Sequence, residues 1–212
     1  FKKLIPKIPK DKSLLVTGMA GFGKSELAKH LPCFKDAIKL AFTNKATEGL
    51  AGETICLFFG IDFTTEKFTR KKMNNLKDKK YVIVDECFMC PRYCMKIFQE
   101  AKRQYPHLVF IFIGDPNQTR PVTQEHINWL STTIFHELCE GNLLELIENK
   151  RNDLTKTYND ILRGITPKCY ANFSNSQINI TKTNLKRKEI NDHYMGQDGY
   201  YICLLYTSDA AD

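Results

Sequence analysis

Two kinds of apolar pattern alternate along the first half of the chain. Ser13-Leu14-Leu15-Val16-Thr17, Ala37-Ile38-Lys39-Leu40-Ala41-Phe42, Tyr81-Val82-Ile83-Val84-Asp85 and Leu108-Val109-Phe110-Ile111-Phe112-Ile113 are short, nearly continuous and rich in β-branched residues. Such runs predict strands buried on both faces, as at the centre of a parallel sheet, rather than one-faced antiparallel strands. Between them, helical spacing is expected over Ser25 to Leu31, Lys45 to Ala51 and Tyr93 to Gln104. Repeated β-α-β order implies right-handed crossovers and an α/β fold with a central parallel sheet.

The pattern breaks near Arg163-Gly164-Ile165-Thr166-Pro167. Before the break, Asp153 to Leu162 reads as helix. After it, Gln177 to Ile180 reads as strand and Leu185 to Tyr194 as helix, as if a second α/β unit began. Residues 1–163 are therefore expected to form one domain and 164–202 the start of another. One stretch fits neither pattern. Thr65 to Lys80 carries seven Lys or Arg against Glu66 and Asp78, and is either a solvated surface helix or a nucleic-acid-facing insertion.

Composition adds limits rather than identity. In 212 residues, 42% are hydrophobic and 26% charged, a globular balance without an apolar run long enough to span a membrane. Phe1-Lys2-Lys3-Leu4-Ile5-Pro6 has no apolar signal-peptide core, so an intracellular location and reduced thiols are expected. The net charge of +7 favours polyanionic partners without requiring one. The cluster Cys87-x2-Cys90-x3-Cys94 leaves two readings open. It has the look of a metal site, but only three thiols are local and no partner pair stands at zinc-finger spacing. Buried or half-exposed cysteines at a strand end and along the next helix are the preferred reading.

Chemistry enters with Gly18-Met19-Ala20-Gly21-Phe22-Gly23-Lys24-Ser25, which fits G-x-x-x-x-G-K-[ST] between a strand and a helix. Glycines let backbone N–H groups turn inward around phosphates, and the helix N-terminus adds partial positive charge. Lys24 is placed to reach the β- and γ-phosphates, and Ser25 to offer a hydroxyl to Mg²⁺. Val82-Ile83-Val84-Asp85-Glu86 delivers two carboxylates to the same sheet edge. Asp85 is expected to hold Mg²⁺ through its waters, and Glu86 to orient and deprotonate the attacking water. The nucleotide-binding set is thus Gly18, Gly21, Phe22, Gly23, Lys24, Ser25 and Asp85, with ATP and Mg²⁺ as the implied ligands. Gly114-Asp115-Pro116-Asn117-Gln118 follows the fourth strand. Gln118 can donate to a γ-phosphate and accept from water, although Gly-Asp-Pro-Asn is also an ordinary turn composition.

Taken together these segments resemble superfamily 1 helicases, most closely the RecD- and Pif-type branch. Gly18 to Ser25 looks like motif I, Phe42-Thr43-Asn44-Lys45-Ala46 like motif Ia, and Gly52-Glu53-Thr54-Ile55 like the G-x-T-I-H segment that follows. Val84-Asp85-Glu86 matches motif II. Gly114 to Gln118 with Pro121-Val122 matches motif III, and Leu143 to Leu146 running into Lys150-Arg151 looks like motif IV. The resemblance implies a first RecA-like domain, the beginning of a second, and single-stranded nucleic acid as partner, DNA before RNA, with 5′→3′ movement. It implies catalytic roles for Lys24, Glu86, Gln118 and Arg151, with Arg151 on the γ-phosphate. Strand contacts are implied at Thr43, Asn44, Lys45 and Thr54. Phe58 or Phe59 could stack on bases, although core positions suit both better.

The chain departs from the pattern at Cys56, where a histidine is usual, and at Thr119-Arg120, where Leu-Pro is usual. Arg120 is either a phosphate contact or a solvated charge. The family's motifs V and VI are not found. Cys203 to Asp212 reads as the translation of a transposase-type sequencing adapter, so native sequence is expected to end near Ile202. The chain as it stands is expected to bind nucleotide weakly and not to unwind DNA. Two rivals remain at this point: a superfamily 1 RNA helicase, and a non-translocating module in which ATP gates a partner.

Overall fold

A computed structural model describes residues 4–62, 64–118, 121 and 127–147. The strand and helices expected after residue 147, the second domain and the tail lie outside the described residues. So do Arg151, Thr119-Arg120 and Val122.

Six described strands make one sheet: β1 (Leu14–Gly18), β2 (Ile38–Ala41), β3 (Glu53–Thr54), β4 (Tyr81–Asp85), β5 (Val109–Gly114) and β6 (Leu143–Leu146). Their order is β3-β2-β4-β5-β1-β6, and each neighbouring pair is parallel. The described helices are α1 (Lys24–Lys29), α2 (Asn44–Leu50), α3 (Ile55–Phe59), α4 (Arg70–Met73), α5 (Arg92–Gln104) and α6 (Thr133–Leu138). The expected α/β fold with a central parallel sheet is the one found.

Alternation along each strand sorts the core into two chemically different layers. Leu15, Val82, Val84, Phe110 and Phe112 face one side, packed with Phe59 of α3, Met73 of α4, Met95 and Phe98 of α5, and Phe135 of α6. Leu14, Val16, Ile83, Ile111 and Ile113 face the other, under Leu27 and Ala28 of α1 and Leu50 of α2. The first layer is aromatic: Phe98 lies 5.6 Å from both Phe110 and Phe112, and Phe112 lies 5.4 Å from Phe135 in an edge-on contact. Both faces are therefore dry, which is why the strands read as unbroken apolar runs. α5 buries Cys94, Ile97, Phe98 and Ala101, one stripe at 3.6-residue spacing.

The segment 65–80 is neither a single helix nor wholly solvated. It forms α4 followed by a 3-10 turn, Asn74–Leu76, and is pinned to the core by Met73 and Leu76. α3 and α6 escape a sequence reading because five or six residues hold too little periodicity. Serine extends the ladder where β1 begins: Phe110 N–H donates to Ser13 Oγ at 3.0 Å.

Phe59 is fully buried, so it is a core residue and cannot stack on a base. Phe58 is half-buried and meets Phe59 edge-on at 4.9 Å. Cys87, Cys90 and Cys94 are buried, and burial pushes all three thiols well above their ordinary range. Among the described residues no three His, Cys, Asp or Glu side chains form a metal-holding group. No described helix is long and apolar enough to cross a membrane.

Candidate nucleotide-binding site

Parallel strands put the C-terminal ends of β1, β4 and β5 at one sheet edge, where open α/β sheets carry their ligands. The loop from Gly18 to Gly23 leaves β1 there. Gly21 and Gly23 take φ of +84° and +82°, which turns the backbone in a way side-chain-bearing residues resist. Gly18 has a second reason to be glycine. A Cβ there would stand 2.7 Å from the carbonyl oxygen of Leu146 in β6. Phe22 points its ring into the aliphatic core layer, so only its backbone can face a phosphate. Its N–H donates to Met19 O at 3.2 Å and tightens the turn.

Lys24 opens α1 and is buried, with its Nζ donating to Gly18 O at 2.6 Å and Met19 O at 3.0 Å. Burial lowers its pKa, opposed by the charges of Asp115, Glu86 and Asp85. The ammonium therefore lies in a field of three carboxylates drawn from two strand ends.

Ser25 Oγ donates to Asp85 Oδ2 at 2.9 Å, joining the start of α1 to the end of β4. Asp85 is buried, and its Oδ1 accepts from Glu86 N–H at 2.9 Å. Burial raises the Asp85 pKa against these hydrogen bonds. Glu86 leaves the strand with φ +50° and ψ +40°. A residue with a side chain gives up about 1–2 kcal/mol in that region. The turn breaks strand alternation, so Glu86 is not carried to the opposite face from Asp85. Burial and the neighbouring Asp85 raise its pKa.

Asp115, within the motif III match but given no role of its own in the sequence, belongs to the same constellation. It follows β5, which lies between β1 and β4, and is 1% exposed. Its Oδ1 accepts from Asn117 N–H at 2.9 Å, while Oδ2 has no hydrogen-bond partner among the described residues. The signal available in sequence was an acid directly after a fully buried strand. Gln118 is half-buried on the same turn, its N–H donating to Asp115 O at 3.1 Å.

The expected strand contacts have local structural roles. Thr43 Oγ1 accepts from Ala46 N–H at 3.3 Å and Thr54 Oγ1 from Leu57 N–H at 3.2 Å, so both cap helix N-termini. Each hydroxyl keeps its proton for another acceptor. Asn44 and Lys45 are exposed beside Thr43. Cys56, in place of the usual histidine, is half-buried in α3, and burial raises its thiol pKa against a hydrogen bond with Tyr93.

The donor set suits a hard divalent cation carrying its own waters. It offers one hydroxyl, a paired carboxylate and a buried carboxylate oxygen without a partner. Fold and site together define a P-loop nucleotide-binding domain of RecA-like α/β architecture. Residues 2–124 match a family model described as an AAA domain, and the chain belongs to that family.

Solved structures with the same fold include Pif1 helicases. The chain is 21% identical to a Pif1 of a study on DNA unwinding at forked double-stranded DNA by two coordinating Pif1 helicases. That match has a TM-score of 0.70 and covers 92% of this chain and 57% of that one. The Bacteroides Pif1 helicase in complex with ADP-AlF3 and single-stranded DNA is 21% identical, with a TM-score of 0.66, covering 94% and 57%. The Candida albicans Pif1 helicase is 18% identical, with a TM-score of 0.69, covering 94% and 54%. This chain thus spans a little over half the length of those helicases. No curated protein matches it.

Proposed function

We propose that the chain is the ATP-hydrolysing core of a helicase-type translocase on single-stranded nucleic acid. DNA is the favoured strand and 5′→3′ the direction. Residues 1–163 are read as its first motor domain, with the second beginning after them. The observation that carries the reading is the 2.9 Å contact of Ser25 with Asp85, which brings the phosphate loop and the acid-tipped strand to one point.

In this reading the loop N–H groups and Lys24 bind the phosphates of ATP. Lys24 leaves the carbonyls of Gly18 and Met19 for phosphate oxygens, which are stronger acceptors for an ammonium. Ser25 and Asp85 hold Mg²⁺, which when bound neutralises charge developing on the transferred phosphoryl group. Glu86 orients the attacking water and takes its proton, help worth about 10²–10⁴ in rate. Gln118 senses the γ-phosphate. Arg151 completes the phosphate contacts. Thr43, Asn44, Lys45 and Thr54, grouped around the starts of α2 and α3, contact the strand backbone. A Pif1 of the same fold bound to ADP-AlF3 and single-stranded DNA supports both ligands.

The test is ATP hydrolysis with and without single-stranded DNA or RNA, with Lys24→Ala and Glu86→Gln as controls. The reading expects hydrolysis to rise with DNA and to vanish in both variants. A rise with RNA alone would reassign the polymer. Hydrolysis indifferent to both polymers, with nucleotide still bound, would sink the translocase reading and leave an ATP-gated module.

A further inference from the structure

The mechanism above gives no task to the Asp115 carboxylate, yet it is the most buried acid described at the site, 1% exposed against 5% for Asp85. Its two oxygens are treated differently by the fold. Oδ1 is spent on the turn, accepting from Asn117 N–H. Oδ2 is buried and has no hydrogen-bond partner among the described residues. Leaving a buried acceptor unpaired is costly, and more so for a charged one, so such an atom needs a partner.

Strand order says where the partner must come from. β5 lies between β1 and β4, with Thr17 beside Gly114 and Val84 beside Phe112. One residue beyond β5, Asp115 emerges between the first residue of the phosphate loop and the Asp85-Glu86 pair. Burial lowers the Lys24 pKa, and the charge of Asp115 opposes this together with those of Glu86 and Asp85. Lys24 is nonetheless hydrogen-bonded elsewhere, to Gly18 O and Met19 O. Two of the nearby acceptors are likewise committed: Asp85 Oδ2 takes Ser25, and Asp85 Oδ1 takes Glu86 N–H. Among the described residues, Oδ2 of Asp115 is a fully buried carboxylate oxygen at this edge without a hydrogen bond.

Mg²⁺ keeps several of its waters in phosphate sites, and each water presents protons that need acceptors. We propose that Asp115 is a positioning residue for magnesium, its Oδ2 accepting from a water of the ion that Ser25 and Asp85 hold. It would thereby orient that water without binding the ion directly. The inference rests on the nucleotide-binding reading of this site and extends it. Groups that support a metal in this way are worth about 10–100-fold in metal affinity.

The test uses the 212-residue chain and a fluorescent ADP, titrated in EDTA and then across a MgCl2 series. Asp115→Asn keeps Oδ1 for the turn and puts a donor where Oδ2 stood. Asp115→Ser, which also keeps a capping oxygen, is the second variant. The expected result is unchanged ADP affinity in EDTA, with the MgCl2 concentration for half-maximal enhancement raised at least about tenfold in both variants. Equal losses with and without magnesium would overturn the proposal and make Asp115 a partner of Lys24 or of the loop. Unchanged magnesium dependence would overturn it too, while leaving the nucleotide reading intact. If the parent chain binds no ADP under either condition, the nucleotide reading itself fails, and this proposal with it.

Discussion

Ser25 and Asp85 are 60 residues apart in the chain and 2.9 Å apart in space. The contact crosses the sheet edge past β5, so it exists only when β1, β5 and β4 are all in register. Ser25→Ala and Asp85→Asn are expected each to weaken magnesium-dependent nucleotide binding by at least about tenfold. The double variant should be little worse than the poorer single one, because both act on one ion. A titration of fluorescent ADP at fixed MgCl2 measures this, and fully additive losses would show that the two residues serve different ends.

Glu86 holds its left-handed backbone without being glycine. Glu86→Gly is expected to be more stable than Glu86→Ala by about 1 kcal/mol, since alanine keeps the Cβ that the conformation resists. Both should lose hydrolysis by about 10²–10⁴. Urea unfolding of the two variants decides the first point. Equal stabilities would mean that the backbone relaxes when the carboxylate is gone.

Phe59 and Leu57 are two residues apart on α3 and have opposite fates, one fully buried and one 61% exposed. Phe59→Ala is expected to cost about 3–5 kcal/mol of stability. Leu57→Ala should stay within about 0.5 kcal/mol of the parent. Thermal unfolding of both variants checks this. A mild loss at Phe59 would show that the core repacks around the smaller side chain.

Glu140 ties three segments together at the other end of the sheet. Its Oε1 accepts from Lys102 Nζ at 3.0 Å and from Ser13 N–H at 3.4 Å. Partial burial alone would raise its pKa, but the hydrogen bonds from Lys102 and Ser13 outweigh it and hold the carboxyl below the ordinary range. A group whose pKa falls on folding adds stability above its unfolded pKa, and that stability is lost as pH drops through the lower folded value. The effect therefore appears below about pH 4.3. With the Glu140 side chain 35% exposed, the contribution is expected to stay under about 1 kcal/mol. Urea midpoints against pH should fall less steeply on the acid side in Glu140→Gln. Parallel acid limbs would show that the pair contributes nothing.

Much of this was legible in the sequence because the signals were local. Phosphate-loop chemistry requires glycines, a lysine and a hydroxyl within eight residues, so Gly18 to Ser25 announces itself. Strands dry on both faces must be apolar throughout, so Val82 to Val84 and Val109 to Ile113 do as well. Structural cysteines beside such a strand were also readable at Cys87, Cys90 and Cys94, but their full burial was not. Phe22 was legible as a member of the loop motif but not as a core side chain, since its ring direction depends on the turn that Gly21 and Gly23 allow.

Strand order was decided by tertiary structure alone. Nothing in the run Val109-Phe110-Ile111-Phe112-Ile113 says that it lies between β1 and β4, and only that placement turns Asp115 from a turn residue into a buried carboxylate with one oxygen unpaired. Thr43 and Thr54 likewise became helix caps only once the chain turned there. The division follows from range. Motifs and apolar runs are set by neighbours in sequence, whereas burial, unpaired atoms and meetings across 60 residues are set by which strands lie side by side.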